Sequence, residues 1–284
     1  MKKSHIVILI TGVVLVLCVC VGIYITNLVG SRNREITLLE YGDTFPTETL
    51  YNFDGNNYIP ENKYHIYIYI SKYCGSCLEK MPSISKLLKI YSSSKLSIKI
   101  IWQEETPPVN ILNKYDVSTE NCLFIDRHVL LSSSVPKYYI VDNNNRVVFV
   151  DNIIKNLVEK TKSLELVEEE WLFENAVDYI ISNYVKHIKK DTIIYFTMEG
   201  CKDCQRADII IDTIIKEYEV DLIKIYSYHS DDPRKICDTD ALFLGAFDID
   251  WYPSFLILTE SEHLFIGRTE EDKLEDYIVS VLVK

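Results

Sequence analysis

The sequence predicts an α/β protein made of two similar segments in tandem behind an N-terminal transmembrane helix. Three observations carry that expectation: an apolar run at the N-terminus, a Cys-x-x-Cys pair in each half, and one order of strands and helices around both pairs. The 284 residues, 48% of them hydrophobic, suffice for two domains with a core each. A formal net charge of −12 excludes nucleic acid as a partner, because phosphates demand a basic surface.

After Met1-Lys2-Lys3-Ser4-His5 the chain is apolar from Ile6 to about Gly30. About 20 such residues cross a bilayer as a helix. The run holds no alanine, and no small residue precedes Cys18 or Cys20, so it reads as an uncleaved anchor rather than a signal peptide. Lys2 and Lys3 favour an inside N-terminus, while Arg32 and Arg34 lie on the other flank. The soluble part is assigned to the outside because paired cysteines make most use of an oxidising compartment. The expected location is therefore the cell membrane, single-pass, with extracytoplasmic domains. Residues 1–34 form the anchor and a polar spacer.

Residues 35–163 form the first domain. Tyr64–Ile70 alternates as a strand does, and a helix follows from the cysteines to Tyr91. Strands are expected at 96–102 and near 121–126, with a short helix over 109–115 between them. Lys137–Val141 and Arg146–Asp151 form a hairpin about the turn Asp142-Asn-Asn-Asn145, and a helix closes over 152–162. Residues 164–190 read as a connecting helix packed on the second domain, its Glu165–Glu174 charge run a solvated face. Residues 191–284 repeat the order: strand 191–197, a helix from Cys201 to Tyr218, strand 221–228, a polar region to Phe247, strands 254–258 and 262–266, and a closing helix from Glu270.

The paired cysteines carry the chemistry. A thiolate is the attacking species in disulfide exchange, and a helix N-terminus favours that anion through its unpaired N–H groups and dipole. Cys74-Gly-Ser-Cys77 and Cys201-Lys-Asp-Cys204 each follow a strand and open a helix. Cys74 and Cys201 are the expected nucleophiles, and Cys77 and Cys204, one turn on, the resolving thiols. Half of a zinc site is the competing interpretation, but zinc needs four ligands and the pairs lie more than a hundred residues apart. No metal-binding or cofactor-binding residue is singled out.

Both segments resemble thioredoxin-fold domains, each a central mixed β-sheet flanked by helices. The first is similar to the TlpA/ResA group through Gly42-Asp-Thr-Phe-Pro46, Gly55, Ile70-Ser-Lys-Tyr-Cys74-Gly-Ser-Cys77-Leu-Glu-Lys-Met-Pro82 and Ser134-Val-Pro136. The 62 residues from Cys74 to Pro136 suit the group's extra strand–helix insertion. The second is similar to a plainer thioredoxin through Cys201–Cys204 and Trp251-Tyr-Pro253. The resemblance implies that Pro136 and Pro253 are cis, that the backbone of Val135 and Tyr252 pairs with a substrate segment, and that Pro82 kinks the active-site helix. It implies protein thiol–disulfide oxidoreductase activity on protein thiols and disulfides, with no cofactor. Several family features are missing. Tyr73 and Gly200 replace the tryptophan before the first cysteine, Lys80 replaces a glutamate, and Ile68 and Tyr195 replace a buried aspartate. These departures leave the proton route to the resolving thiol unassigned, and redox direction open.

Cys122 and Cys237 read as buried small hydrophobes. Ser71-x-x-Cys74 fits a thiol peroxidase, but Tyr67 stands where its proline is expected. A third function is a docking scaffold whose pairs are structural disulfides. The expected partners are protein thiols, a membrane electron donor, and the membrane itself through residues 6–30. The two sites either relay electrons or serve separate clients.

Overall fold

In β3 (His65–Ile70) isoleucine alternates with tyrosine, and the strand pleat sends the two residue types to opposite faces. Both faces are covered. Ile66, Ile68 and Ile70 join one core cluster and Tyr67 and Tyr69 another, all fully buried. The computed structural model describes residues 35–282 apart from 37, 62, 93–95, 105–108, 127, 186–190, 228, 229, 231, 233, 234, 260–262 and 267–270. The expected anchor, residues 6–30, lies outside the described residues. Among the described residues no helix is long and apolar enough to cross a membrane.

Around β3 lies a six-stranded mixed sheet in the order β2 (Leu50–Tyr51), β5 (Cys122–Ile125), β4 (Ser97–Trp102), β3, β7 (Lys137–Val141), β8 (Val147–Asp151). β4 runs parallel to β3 and β5 parallel to β4, while β2, β7 and β8 are antiparallel to their neighbours. One face carries α1 (Gly75–Ile90), whose Cys77, Met81, Ile84, Leu87 and Ile90 recur at helical spacing and are buried. α3 (Ile154–Ser163) joins it there through Ile154, Leu157 and Val158. The other face is covered by irregular chain carrying Leu39 and Phe45, which cluster with Leu50 of β2. α2 (Val109–Lys114) bridges β4 and β5. At the start of the described residues, β1 (Glu35–Ile36) pairs in parallel with β6 (Val129–Leu130). Two-residue strands have no period to read, so the sequence carries no signal for them.

A second mixed sheet has the order β11 (Ile236–Cys237), β10 (Asp221–Tyr226), β9 (Thr192–Thr197), β12 (Ser254–Leu258), β13 (His263–Ile266). Its outer face packs on α5 (Lys202–Glu217) and α7 (Glu271–Leu282) through Ile211, Ile214, Leu274 and Ile278. Its inner face places Ile194, Phe196, Ile225 and Leu256 in the same core cluster as Ile66 and Ile68 of the first sheet.

The filling between the two sheets is helical. α4 (Glu169–Tyr184), expected to pack on the second domain, lies between both halves. Trp171 meets Tyr91 edge-on at 6.0 Å, and Phe173 meets Phe247 at 5.2 Å. Glu165, Glu168, Glu169, Glu170 and Glu174 are exposed, as a solvated face requires. α6 (Leu242–Ala246) approaches α3 so closely that a Cβ on Gly245 would meet Val158 at 3.1 Å. The two sheets thus share one continuous core.

Candidate active site: two Cys-x-x-Cys pairs

Each pair sits where a strand hands over to a helix. Cys74 is the N-cap of α1, and its Sγ accepts the Cys77 N–H at 3.1 Å. Cys201 is the N-cap of α5, with Sγ accepting the Cys204 N–H at 3.0 Å. The sulfur takes the place of the capping oxygen and satisfies an orphan donor of the first turn. The Val135–Pro136 and Tyr252–Pro253 bonds are both cis. The Val135 carbonyl lies 3.5 Å from Cys74 Sγ, and the Tyr252 carbonyl 3.9 Å from Cys201 Sγ. All eight residues singled out from the sequence therefore fall at two sites, four at each.

The first pair is a dithiol. Partial burial of Cys74 works against its anion, but hydrogen bonds from Cys77 and Ser76 outweigh it and hold the thiol below its ordinary pKa. Cys77 is fully buried. Burial, and then its hydrogen bond with Cys74, push its thiol up to about 12. One sulfur is exposed enough to attack and ionises readily, while the other keeps its proton until something removes it. The second pair is disulfide-bonded, with Cα atoms 5.2 Å apart.

Three residues at the first site have no readable signal in the sequence. Glu104, beyond the end of β4, accepts a short hydrogen bond from the Ser71 hydroxyl and another at 3.0 Å from the Lys72 N–H. Its carboxylate clamps the loop that presents Cys74. Tyr138, on β7, is fully buried and its hydroxyl has no hydrogen-bond partner among the described residues. Asp240 comes from the second half of the chain and pairs at 2.7 Å with Lys80, one turn beyond Cys77 on α1. At the second site the buried tyrosine is Tyr195, whose hydroxyl donates to the Cys204 carbonyl at 2.8 Å.

Gly200, where a tryptophan was expected, has φ of +74°, a left-handed conformation that glycine adopts without strain. Tyr73 holds the same place at the first site and is 82% exposed. Cys122 is buried, its thiol pushed up to about 11 by burial, as expected of a small hydrophobe. Cys237 departs from expectation. It is half-buried and lines a cleft of about 920 Å³ between the halves with Glu79, Pro82, Lys86 and Tyr184. It sits on β11, whose two residues carry too little apolar periodicity to predict its burial.

A mixed sheet flanked by helices, a Cys-x-x-Cys pair capping the helix after the central strand and a cis-proline beside the first sulfur describe a thioredoxin-like site. No protein-family model and no curated protein matches the chain. Similar solved structures include a thiol:disulfide interchange protein from Bacteroides sp., at 17% identity over 40% of this chain and 82% of that one, with a TM-score of 0.34. The thioredoxin domain of a thiol-disulfide oxidoreductase from Bacteroides vulgatus is 13% identical over 44% of this chain and 98% of its own, with a TM-score of 0.38. A peroxiredoxin-like protein from Aquifex aeolicus is 12% identical over 46% and 89%, with a TM-score of 0.37.

Proposed function

We propose that this chain is a thiol–disulfide oxidoreductase acting on protein thiols and disulfides, with two thioredoxin-like units in tandem. The observation that carries the reading is the asymmetry of the first pair: a capping, partly exposed thiol held below its ordinary pKa beside a buried thiol held well above it. In the reducing direction the Cys74 thiolate attacks a client disulfide. One client sulfur leaves as a thiolate, and the other stays bonded to Cys74. Cys77 then loses its proton and attacks Cys74, expelling the second client thiolate and leaving a Cys74–Cys77 disulfide. Tyr73, exposed and next to Cys74 in the chain, and the Val135 carbonyl beside the attacking sulfur suit an extended client segment. At the second pair Cys201, Cys204, Tyr252 and Pro253 hold the matching roles.

The apolar run over residues 6–30 supports a membrane anchor that keeps the two units at the outer face, near a membrane electron donor. A peroxidase is disfavoured because the Ser71 hydroxyl that would serve a peroxidatic cysteine is engaged by Glu104. The test is a titration of both pairs in the full chain against glutathione and dithiothreitol, with Cys77→Ser and Cys204→Ser as controls. Both pairs are expected to titrate reversibly. A potential near about −270 mV marks a reductant, and one near about −120 mV a strong oxidant. If neither pair titrates, the oxidoreductase reading fails and the scaffold reading replaces it.

A further inference from the structure

The loop that presents Cys74 has three successive N–H groups, those of Lys72, Tyr73 and Cys74, and all three are bonded. The bonds lead back to one carboxylate. Glu104 Oε2 accepts the Lys72 N–H at 3.0 Å, and its Oε1 accepts the Ser71 hydroxyl. Ser71 Oγ in turn accepts the Tyr73 N–H at 3.2 Å, and the Ser71 carbonyl accepts the Cys74 N–H at 3.2 Å. The sheet delivers Glu104 to this place. The Gln103 N–H donates to the Ile70 carbonyl at 2.9 Å, one residue beyond the last β3–β4 pair, Ile70 with Trp102. Ser71 is 6% exposed, so its hydroxyl needs an acceptor inside the fold. Hydrogen bonds to a carboxylate are roughly twice as strong as neutral ones, which makes this a firm hold.

Where the loop stands decides what the sulfur can do. Cys74 Sγ caps α1 by accepting the Cys77 N–H at 3.1 Å, and the pull of a helix terminus on an anion falls off within a turn. We propose that Glu104 is a positioning residue of the first redox site: through Ser71 and the Lys72 N–H it holds Cys74 Sγ on the end of α1 and so sets its reactivity. The inference rests on the oxidoreductase reading above. The charge of Glu104 works in the opposite sense to its hold on the loop. Burial is the main cause of the raised Cys77 thiol, and the Glu104 carboxylate adds to it. If Glu104 acted by charge alone, removing that charge would quicken a nearby thiol. If it acts by position, removing it slows Cys74.

The experiment alkylates the reduced full chain with iodoacetamide between pH 6 and 9 and follows Cys74 by peptide mass. Glu104→Gln turns a donor on the Lys72 N–H or on the Ser71 hydroxyl. It should slow Cys74 at pH 7 by about tenfold, the order that one lost hydrogen bond to a charged group carries. Its rate profile should move to higher pH. Ser71→Ala leaves the Glu104 charge in place and should slow Cys74 to a similar extent. The double variant should be no slower than the slower single, because both act through one bridge. Glu79→Gln removes an exposed carboxylate two residues beyond Cys77 and should react at the parent rate. A parent-like or faster Cys74 in Glu104→Gln or Ser71→Ala overturns the proposal. So do additive losses in the double variant, or an equal slowing in Glu79→Gln. Should Glu104→Gln fail to fold by far-UV circular dichroism, Ser71→Ala, the smaller change, decides. If Cys74 of the parent reacts no faster at pH 7 than an ordinary thiol, the oxidoreductase reading has failed instead.

Discussion

Cys74 and Cys201 each cap a helix of 16 residues, and each lies beside the carbonyl that precedes a cis-proline. Their surroundings diverge. At the first site the buried tyrosine has no partner among the described residues, a carboxylate clamps the loop, and an acid from the other half reaches the active-site helix. At the second, Tyr195 is bonded within its own unit and Asp208 is paired with Lys224, so these polar groups near the cysteines are satisfied locally. The same backbone device therefore sits in two polar surroundings. The first site's helix is paired through Lys80 with a carboxylate from the other half. At the second, the hydroxyl of Tyr252, whose carbonyl lies beside Cys201, is buried without a partner among the described residues. What separates them is the wiring of buried polar groups, since the helix terminus that favours a thiolate is common to both.

The largest expected effect tests whether the first site is the reactive one. Cys74→Ser should abolish exchange at that site, measured as loss of mixed-disulfide formation, while Cys77→Ser should trap the adduct. Next comes the shared core. Phe247 is buried against Phe173 and Phe196, so Phe247→Ala should cost about 3–5 kcal/mol. Urea unfolding followed by far-UV circular dichroism should remain one transition for both sheets, and two separated transitions would break the shared-core picture.

The two thiols of the first site should differ in alkylation by iodoacetamide. Cys74 should become reactive at a pH below the ordinary thiol value of about 8.5, and Cys77 should resist throughout the neutral range. A uniform profile for both would remove the asymmetry on which the mechanism rests.

A smaller effect concerns Asp238, which is buried and caps α6 through the N–H groups of Leu242 and Phe243 at 2.9 Å. Burial raises its carboxyl to about 6, against the opposing pull of Lys86 and the N–H groups. Its folded pKa exceeds the unfolded value of about 3.9, so its contribution to stability is full below about pH 4 and is lost as pH rises through about 6. The urea midpoint of the parent relative to Asp238→Asn should fall across that window. The smallest effect is an expected null. With dithiothreitol as the reductant, Cys201→Ser should leave first-site turnover unchanged. A loss would mean that electrons reach Cys74 through the second pair.

Much of the first site is legible in the sequence. Periodicity locates the long strands and helices to within a few residues, because alternation over six or seven positions has no other simple cause. The position of each cysteine pair between a strand and a helix points to the capping role that Cys74 and Cys201 play. Glu104 is not legible, since its link to Ser71 spans 33 positions with no motif between. Asp240 is less so, lying 160 positions from the lysine that holds it. Cys237 defeats the expectation of burial because its exposure follows from the groove between the halves rather than from its own strand.

The sequence by itself determined the local architecture and where the reactive sulfurs sit along the chain, because strand period, helix capping and the Cys-x-x-Cys spacing act over a few residues. Tertiary structure alone decided that the two sheets share one core and that Lys80 meets Asp240. Contacts of that kind form wherever packing brings distant surfaces together, and a buried charge must find its partner in space rather than along the chain.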